Sequence, residues 1–300
     1  MTQTIATIIV TYNRQELLTQ CLDAVLAQTR IPDRIIIVDN NSTDGTPEFL
    51  QAKGYLEKPI IDYVRLTENT GGAGGFYTGM KRGYEAGYDW LWLTDDDGYP
   101  AQDCLEKLIQ LNQEFEIIGP AVVSPEDQNI LTWKLRVLEN NGYFSPRMYL
   151  NTYDELTAKS EGGIYLNQAN FFNGILVNKN VVKKIGYVIK ELFIWGDEYE
   201  YYLRCKKFNI KICTQVDAMF FHPIKSVSVN ELKFYYLVRN LFYTYFKYAE
   251  IMYAPSIRLF YPFYLVVKYL RLTPSFSPFY LAQVIKSVFW AIQGKLIPYN

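Results

Sequence analysis

The chain has 300 residues, 49% of them hydrophobic, 20% charged and 16% aromatic, with a net charge of −1. That balance excludes a disordered chain and leaves room for one large domain, or one domain with a substantial appendage. The near-neutral total hides an asymmetry: residues 231–300 carry eight Lys/Arg against two Glu, or +6, which leaves −7 on the first 230 residues and disfavours nucleic-acid binding there.

Cys21, Cys104, Cys205 and Cys213 form no CxxC pair and read as reduced thiols, neither a zinc site nor a disulfide frame. The chain enters a strand almost at once, without a basic, signal-like apolar block, so the expected location is the cytoplasm.

Ile5–Val10 is a short β-branched run, the pattern of a covered parallel strand. Asn13 and Glu16 make a capping box, and Leu17, Leu18, Cys21, Leu22, Val25 and Leu26 then share one helical face. Arg34–Asn40 is a second buried strand, with a carboxylate at Asp39. Ser42–Gly45 reads as a turn, with Thr46 and Pro47 as N-cap and first residue of a helix. Two βα units in 50 residues predict half of a doubly wound, nucleotide-binding sheet. A third strand, Tyr63–Leu66, leads into Asn69-Thr70-Gly71-Gly72-Ala73-Gly74-Gly75 and a helix reaching about Ala86. The glycines would let backbone N–H groups approach a phosphate, or simply form a flexible turn.

Trp90-Leu91-Trp92-Leu93-Thr94 predicts another buried strand, and Asp95-Asp96-Asp97 follows at its end. Three adjacent anions need solvation or a counter-charge; at the carboxyl edge of an α/β sheet a divalent cation is a natural one. A helix over 103–114, strands over 117–123 and 171–177, and a helix over 179–185 capped by Gly186 come next, with residues 124–165 covering the site as loops and strands. Asp197, Glu198 and Glu200 sit where a helix begins. Carboxylates there suit the helix dipole, or one is a general base, with Trp195 as an apolar wall for the acceptor. A strand at 210–213 precedes His222, the chain's one histidine, which is either structural or a third ligand beside two carboxylates.

The series Thr11-Tyr12-Asn13-Arg14, Val38-Asp39-Asn40, the Asn69–Gly75 segment, Asp95–Asp97, Trp195-Gly196-Asp197-Glu198 and His222 resembles the inverting glycosyltransferases of family 2. The likeness is greatest to the bacterial galactofuranosyltransferases and then to rhamnosyltransferases of surface polysaccharides, and it covers roughly residues 4–240. It implies a GT-A fold: a Rossmann-like mixed sheet flanked by helices, over residues 1–228, followed by a helical, aromatic and basic region over 229–300. It also implies a UDP-sugar donor bound with Mn²⁺ or Mg²⁺. By the resemblance Thr11, Asn13, Arg14 and Asp39 serve the donor, with Thr11 and Asp39 near uracil. Asn69, Gly71, Gly72 and Gly74 follow its ribose and diphosphate, and Asp96 also serves the donor. Asp95, Asp97 and His222 hold the metal. Relatives place an Asp six residues before an Arg; here that place, counted from Arg204, holds Glu198, with Asp197 just before it. Glu198 is the favoured base and Asp197 the alternative. Tyr236 and Arg239 belong to a Tyr-Tyr-x-Val-Arg-Asn segment that the resemblance puts near the acceptor.

In the tail, the uncharged runs Leu259–Val267 and Leu272–Ile285 are shorter than the ~20 residues of a membrane span, and Pro255, Pro262, Pro274 and Pro278 interrupt the region. Arg258, Lys268, Arg271 and Lys286 alternate with aromatic and aliphatic residues, a pattern for helices on a membrane interface or against a second copy of the chain. The expectation is an enzyme peripheral to the cytoplasmic face of the inner membrane, moving galactofuranose from UDP-galactofuranose onto a lipid-linked glycan. The alternatives are a rhamnosyltransferase using dTDP-rhamnose and a non-catalytic nucleotide-sugar-binding scaffold.

Overall fold

The computed structural model describes residues 3–138, 143–224, 230–271 and 278–299. The boundary expected at 228/229, Pro274 and residues 272–277 of the second uncharged run lie outside them.

Four parallel strands form the first half of the sheet: β1 (Ile5–Thr11), β2 (Arg34–Asp39), β3 (Ile61–Arg65) and β4 (Trp90–Asp95), in the order β3-β2-β1-β4. The order reverses between β1 and β4, so their carboxyl ends open a crevice where a nucleotide can sit. The other strands are β5 (Tyr99–Pro100), β6 (Ile117–Val123), β7 (Ile130–Leu138), β8 (Phe144–Thr152), β9 (Ile164–Leu166), β10 (Asn173–Asn178) and β11 (Ile212–Phe221). β10 joins β4 antiparallel and makes the sheet mixed, continuing through β6 and β11 to β5.

Alternate residues of each strand feed opposite cores. Ile5, Ile9, Ile35, Ile37, Trp90 and Trp92 pack against α1 (Gln15–Leu26), α2 (Thr46–Ala52) and α4 (Cys104–Ile109). Ala6, Ile8, Val10, Leu91 and Leu93 face α3 (Gly71–Glu85), with Phe76 and Met80 of α3 in the same core. Both tryptophans are buried with their indole N–H groups satisfied, Trp90 by Gln3 Oε1 (2.7 Å) and Trp92 by the Gly174 carbonyl (2.8 Å). A smaller core joins β7, β8 and α5 (Tyr153–Lys159). All four cysteines are free and buried.

The expected element positions hold for most of the sheet, with local corrections. Asn13 makes no capping box: its φ is +53°, Arg14 is the N-cap of α1, and the Asn13 Oδ1 accepts from Thr43 N instead (2.7 Å). The N-cap of α2 is Gly45, one residue earlier than expected, and the Asp44 carboxylate takes the Thr46 N–H. The glycine segment is not an open loop, because Gly71 to Gly75 form the first turn of α3. The helix expected over 103–114 is shorter, and the strand expected from Phe171 starts at Asn173, after Phe172 with φ +62°.

α6 (Lys179–Ile185) follows β10 at the amino edge of β4, where Lys179 pairs with Asp89, α7 (Asp197–Lys207) comes next, and three helices follow: α8 (Glu231–Met252), α9 (Pro255–Arg271) and α10 (Pro278–Ile292). Pro262 lies inside α9 without ending it. A proline removes the helical bond to the carbonyl four residues back, here that of Arg258, and the Tyr245 hydroxyl of α8 donates to that carbonyl. No helix of the described residues is long and apolar enough to cross a membrane.

Candidate active site

β4 pairs with β1 along its whole length and releases Asp95, Asp96 and Asp97 at the switch point. Asp96 turns inward and is buried: Thr11 Oγ1 donates to its Oδ2 (2.6 Å) and Arg14 Nη1 to its Oδ1 (2.9 Å). The same Arg14 nitrogen reaches Asp97 Oδ2 at 2.8 Å, so one guanidinium serves two carboxylates. Burial, then the charges of Asp97, Asp96 and Glu198, push the Asp95 carboxyl well above its ordinary range; Arg14 pulls the other way. Burial raises Asp96 as well, against the pull of Arg14 and Thr11. Three carboxylates with one arginine leave an excess of buried negative charge, which a cation would relieve.

His222 follows β11, and Thr132 Oγ1 donates to its backbone carbonyl (2.7 Å) while the Trp133 ring lies 4.4 Å from the imidazole. Its Nδ1 faces the Pro223 carbonyl at 2.8 Å. A carbonyl oxygen only accepts, so Nδ1 carries the proton and Nε2 points at Asp97 Oδ1, 3.0 Å away. An imidazole with Nδ1–H on a backbone carbonyl and Nε2 turned to a carboxylate has the orientation of a metal ligand. The expected triad is only partly assembled. Asp97 and His222 meet, whereas among the described residues no three His, Cys, Asp or Glu side chains gather at metal-holding spacing. The donor set nonetheless fits Mg²⁺ or Mn²⁺, which take one or two protein groups and complete their shell with substrate phosphate and water.

Asp197 and Glu198 open α7 behind the turn Phe193-Ile194-Trp195-Gly196. φ is +65° at Phe193, +60° at Trp195 and +86° at Gly196. For the two aromatic residues this backbone costs about 1–3 kcal/mol each, and it aims the following carboxylates inward. Burial raises both Asp197 and Glu198, and Asp197 is raised further by the charges of Glu198 and Asp95. The interaction between the pair pushes Asp197 up and Glu198 down, so of the two Asp197 is held further above its ordinary range. Glu198 Oε2 also accepts from Gly196 N–H at 3.2 Å. Glu200, by contrast, is fully buried and held by Arg204, Lys247 and Tyr248. It is a structural anchor between α7 and α8.

Several expected donor contacts are occupied within the protein. Asp39 is 0% exposed, its oxygens taken by Ser42 N–H (2.8 Å) and the Tyr63 hydroxyl (2.5 Å), and the Thr11 hydroxyl is spent on Asp96. Asn69 Oδ1 accepts from Gly71 N–H at 2.8 Å. The glycines are required by the protein's own packing: a Cβ on Gly71 would stand 2.0 Å from the Phe193 carbonyl oxygen, and one on Gly74 would stand 2.2 Å from Thr70 Oγ1. Only Gly72 faces open space.

The acceptor residues divide in the same way. Trp195 is half-buried and lines an apolar cavity of about 60 Å³ with Gly196, Tyr199 and Leu241. Tyr236 stacks on Phe193 (4.7 Å) and accepts from Tyr299 N–H. Arg239 is 1% exposed, its guanidinium committed to the carbonyls of Glu191, Leu192 and Ile297. Tyr236 and Arg239 thus spend these contacts on supporting the turn. Sequence reasoning passed over two structural keys, Asn40 and Asn240. Asn40 Oδ1 accepts from Thr70 Oγ1 (2.9 Å) and its Nδ2 donates to the Gly71 carbonyl (3.2 Å), tying β2 to α3. The polar residue directly after a buried strand was the available signal for Asn40.

A family model described as glycosyl transferase family 2 matches residues 6–172. The galactofuranosyltransferase GlfT1 of Mycobacterium tuberculosis is 32% identical over 231 residues, covering 75% of this chain and 72% of that protein. The dTDP-rhamnosyl transferase RfbF of Shigella flexneri is 24% identical over 254 residues, covering 81% and 80%. Among solved structures, GalNAc-T7 with UDP, GalNAc and Mn²⁺ aligns with a TM-score of 0.60 at 13% identity, over 95% of this chain and 57% of that one. Staphylococcus aureus TarS 1–349 in complex with UDP aligns at 0.54 and 15% identity, over 97% and 90%. These two likenesses carry the fold alone: a GT-A-like mixed sheet with a helical region after it. With its fold, its strand-end carboxylates and its relatives in agreement, the chain belongs to the glycosyl transferase family 2 and is a glycosyltransferase.

Proposed function

We propose that this glycosyltransferase moves galactofuranose from UDP-galactofuranose, with inversion, onto a glycan acceptor carried on a lipid at a cytoplasmic membrane surface. Chief support is the placement of Glu198: a half-buried carboxylate opening α7 beside Asp197, near enough to Asp95 at the switch point of the sheet for its charge to raise that carboxyl. The similarity to GlfT1 supports the furanose donor.

In this reading Glu198 takes the proton of the acceptor hydroxyl, whose oxygen attacks the anomeric carbon on the face opposite UDP. One displacement inverts that carbon, and UDP leaves with the bonding electron pair. Asp97 and His222 would hold Mn²⁺ or Mg²⁺, which supplies charge neutralisation for the diphosphate. Arg14 fixes Asp96 and Asp97 in register, and Gly72 is the point of α3 left open to the donor. Trp195 bounds the acceptor side with an apolar wall.

The tail supplies the membrane contact. Leu259, Phe260, Phe263, Tyr264 and Val267 form one exposed stripe on α9, and Leu281, Ile285, Phe289 and Ile292 form another on α10, with Arg271 and Lys286 exposed beside them. Apolar stripes edged by cations suit an anionic lipid interface. Pairing of these stripes with a second copy is the competing use.

Turnover of UDP-galactofuranose, UDP-galactopyranose, UDP-glucose and dTDP-rhamnose, each with Mn²⁺ and with chelator and with a lipid-linked acceptor supplied, tests the proposal. Chelator-sensitive UDP release from the furanose donor alone is expected. Turnover of dTDP-rhamnose, favoured by the similarity to RfbF, would overturn the donor assignment and leave the displacement chemistry.

A further inference from the structure

The turn that presents the acid pair is not held by its own sequence. Phe193, Trp195 and Gly196 all have positive φ, and two of the three are bulky aromatics that disfavour it. Asn240 on α8 holds this backbone from one side: its Nδ2 donates to the carbonyls of Leu192 (2.8 Å), Ile194 (3.0 Å) and Trp195 (2.6 Å). From the other side Ala73 N–H donates to the Phe193 carbonyl (3.2 Å), and Gly71 leaves the space that carbonyl needs.

Asn240 is in turn oriented by its neighbour. Arg239 Nε and Nη2 both donate to Asn240 Oδ1, at 2.9 and 2.8 Å, so the amide can present only its NH₂ to the turn. Arg239 Nη2 itself reaches the carbonyls of Glu191 (2.6 Å) and Leu192 (3.0 Å), and Nη1 reaches that of Ile297 (2.7 Å). The Tyr235 hydroxyl donates to the same Ile297 carbonyl (2.9 Å). Both Arg239 and Asn240 are buried, 1% exposed each, and all these contacts reach across at least 45 residues of sequence except those between the two neighbours.

We propose that Asn240, locked by Arg239, is a positioning residue for catalysis: it holds the 192–196 turn in the strained backbone that aims Glu198 and Asp197 at the acceptor. Residues 295–299, through Ile297, complete the clamp. The inference rests on the assignment of Glu198 as base, and it goes beyond that assignment by tying the base to the helical tail. An isosteric Asn240→Asp keeps the partner of Arg239 but turns an oxygen toward three carbonyl oxygens, which repel it. Arg239→Lys keeps the charge and loses the fork that fixes the amide.

The test combines hydrogen exchange of the amides over 193–200 with steady-state kinetics, using whichever donor of the panel above the wild type turns over. In N240D, exchange over this stretch rises about tenfold, as expected for loss of a net hydrogen bond. kcat falls about 100-fold, the scale of an ångström-level misplacement, while donor KM stays within about threefold, since the donor pocket is untouched. R239K moves the same quantities in the same direction by less. A folded N240D with wild-type exchange, or one with faster exchange and unchanged kcat, overturns the proposal. Loss of the fold in both variants also overturns it, because the pair would then serve the fold only. A wild-type chain inert toward every donor sinks the proposed function instead, while the exchange measurement still decides whether the clamp exists.

Discussion

His222 Nε2 stands 3.0 Å from Asp97 Oδ1 while Nδ1 of the same ring stands 2.8 Å from the Pro223 carbonyl oxygen. With the proton committed to Nδ1, two electron-rich atoms face each other across the first gap, and only a proton or a metal ion reconciles them. In the proposed mechanism that partner is a metal ion, held by two protein groups on different elements, the end of β4 and the end of β11. His222→Ala should weaken Mn²⁺ binding at least tenfold, roughly the loss seen when a ligand's surroundings are broken. Calorimetric titration with Mn²⁺ in the presence of UDP measures this directly. Unchanged affinity would return His222 to a structural role under Trp133.

Asp197 and Glu198 are chemically alike, and the proposed mechanism gives them different tasks. Asp197 is raised further than Glu198, by burial and by the charges of Glu198 and Asp95. With Glu198 as the base, an asparagine at 197 keeps a hydrogen-bond donor beside it, so Asp197→Asn should keep kcat within about tenfold of wild type, short of the 100-fold or more that loss of a general base costs. A rate measurement at saturating donor decides it. A thousandfold loss in this variant would reverse the assignment.

Asp95, Asp197 and Glu198 are all raised, with burial as the first cause. A carboxyl whose folded-state value lies above its unfolded one binds its proton more tightly when folded. Its contribution to stability is complete below the unfolded value of about 4 and is lost as pH rises through the folded value. Thermal melts with chelator should therefore show Tm falling from mildly acidic toward neutral pH. Mn²⁺ should flatten that slope, because it stabilises the ionised cluster. A Tm that rises over the same window in chelator contradicts the electrostatic picture.

Phe260 and Phe263 are 68% and 72% exposed on the stripe of α9. Phe263→Asp combined with Phe260→Asp should reduce sedimentation with anionic phospholipid vesicles at least tenfold, as two large apolar anchors are lost. Melting temperature should change by no more than a few degrees, because neither ring lies in the core. Wild-type protein that ignores vesicles but runs as a dimer, dissociated by the same substitutions, would assign the stripes to self-association.

What was legible in the sequence was what local pattern controls. The β-branched runs of β1 and β2, the Trp-rich β4 and the Gly186 cap of α6 all appear where hydrophobic periodicity and capping chemistry put them. The strand-end carboxylates and the acid pair at α7 were readable for the same reason: charge at the end of an apolar run has few structural uses. Long-range hydrogen bonds were not readable. The resemblance put Arg239 near an acceptor, but its guanidinium is filled by carbonyls about 50 residues away, a partnership no local window reveals. Pro262 resembled a helix break, yet the Tyr245 hydroxyl on another helix satisfies the carbonyl it frees. The glycines of α3 resembled a phosphate loop, while the space they leave is used by Phe193, Thr70 and Val10.

The most direct test of the central claim is turnover of UDP-galactofuranose with Mn²⁺ by wild-type protein and by Glu198→Gln, with UDP affinity measured alongside. Removal of the base should lower kcat by about 10²–10⁴-fold while UDP binds as before. Wild-type turnover in the glutamine variant would contradict the account, because Glu198 would then not be the base.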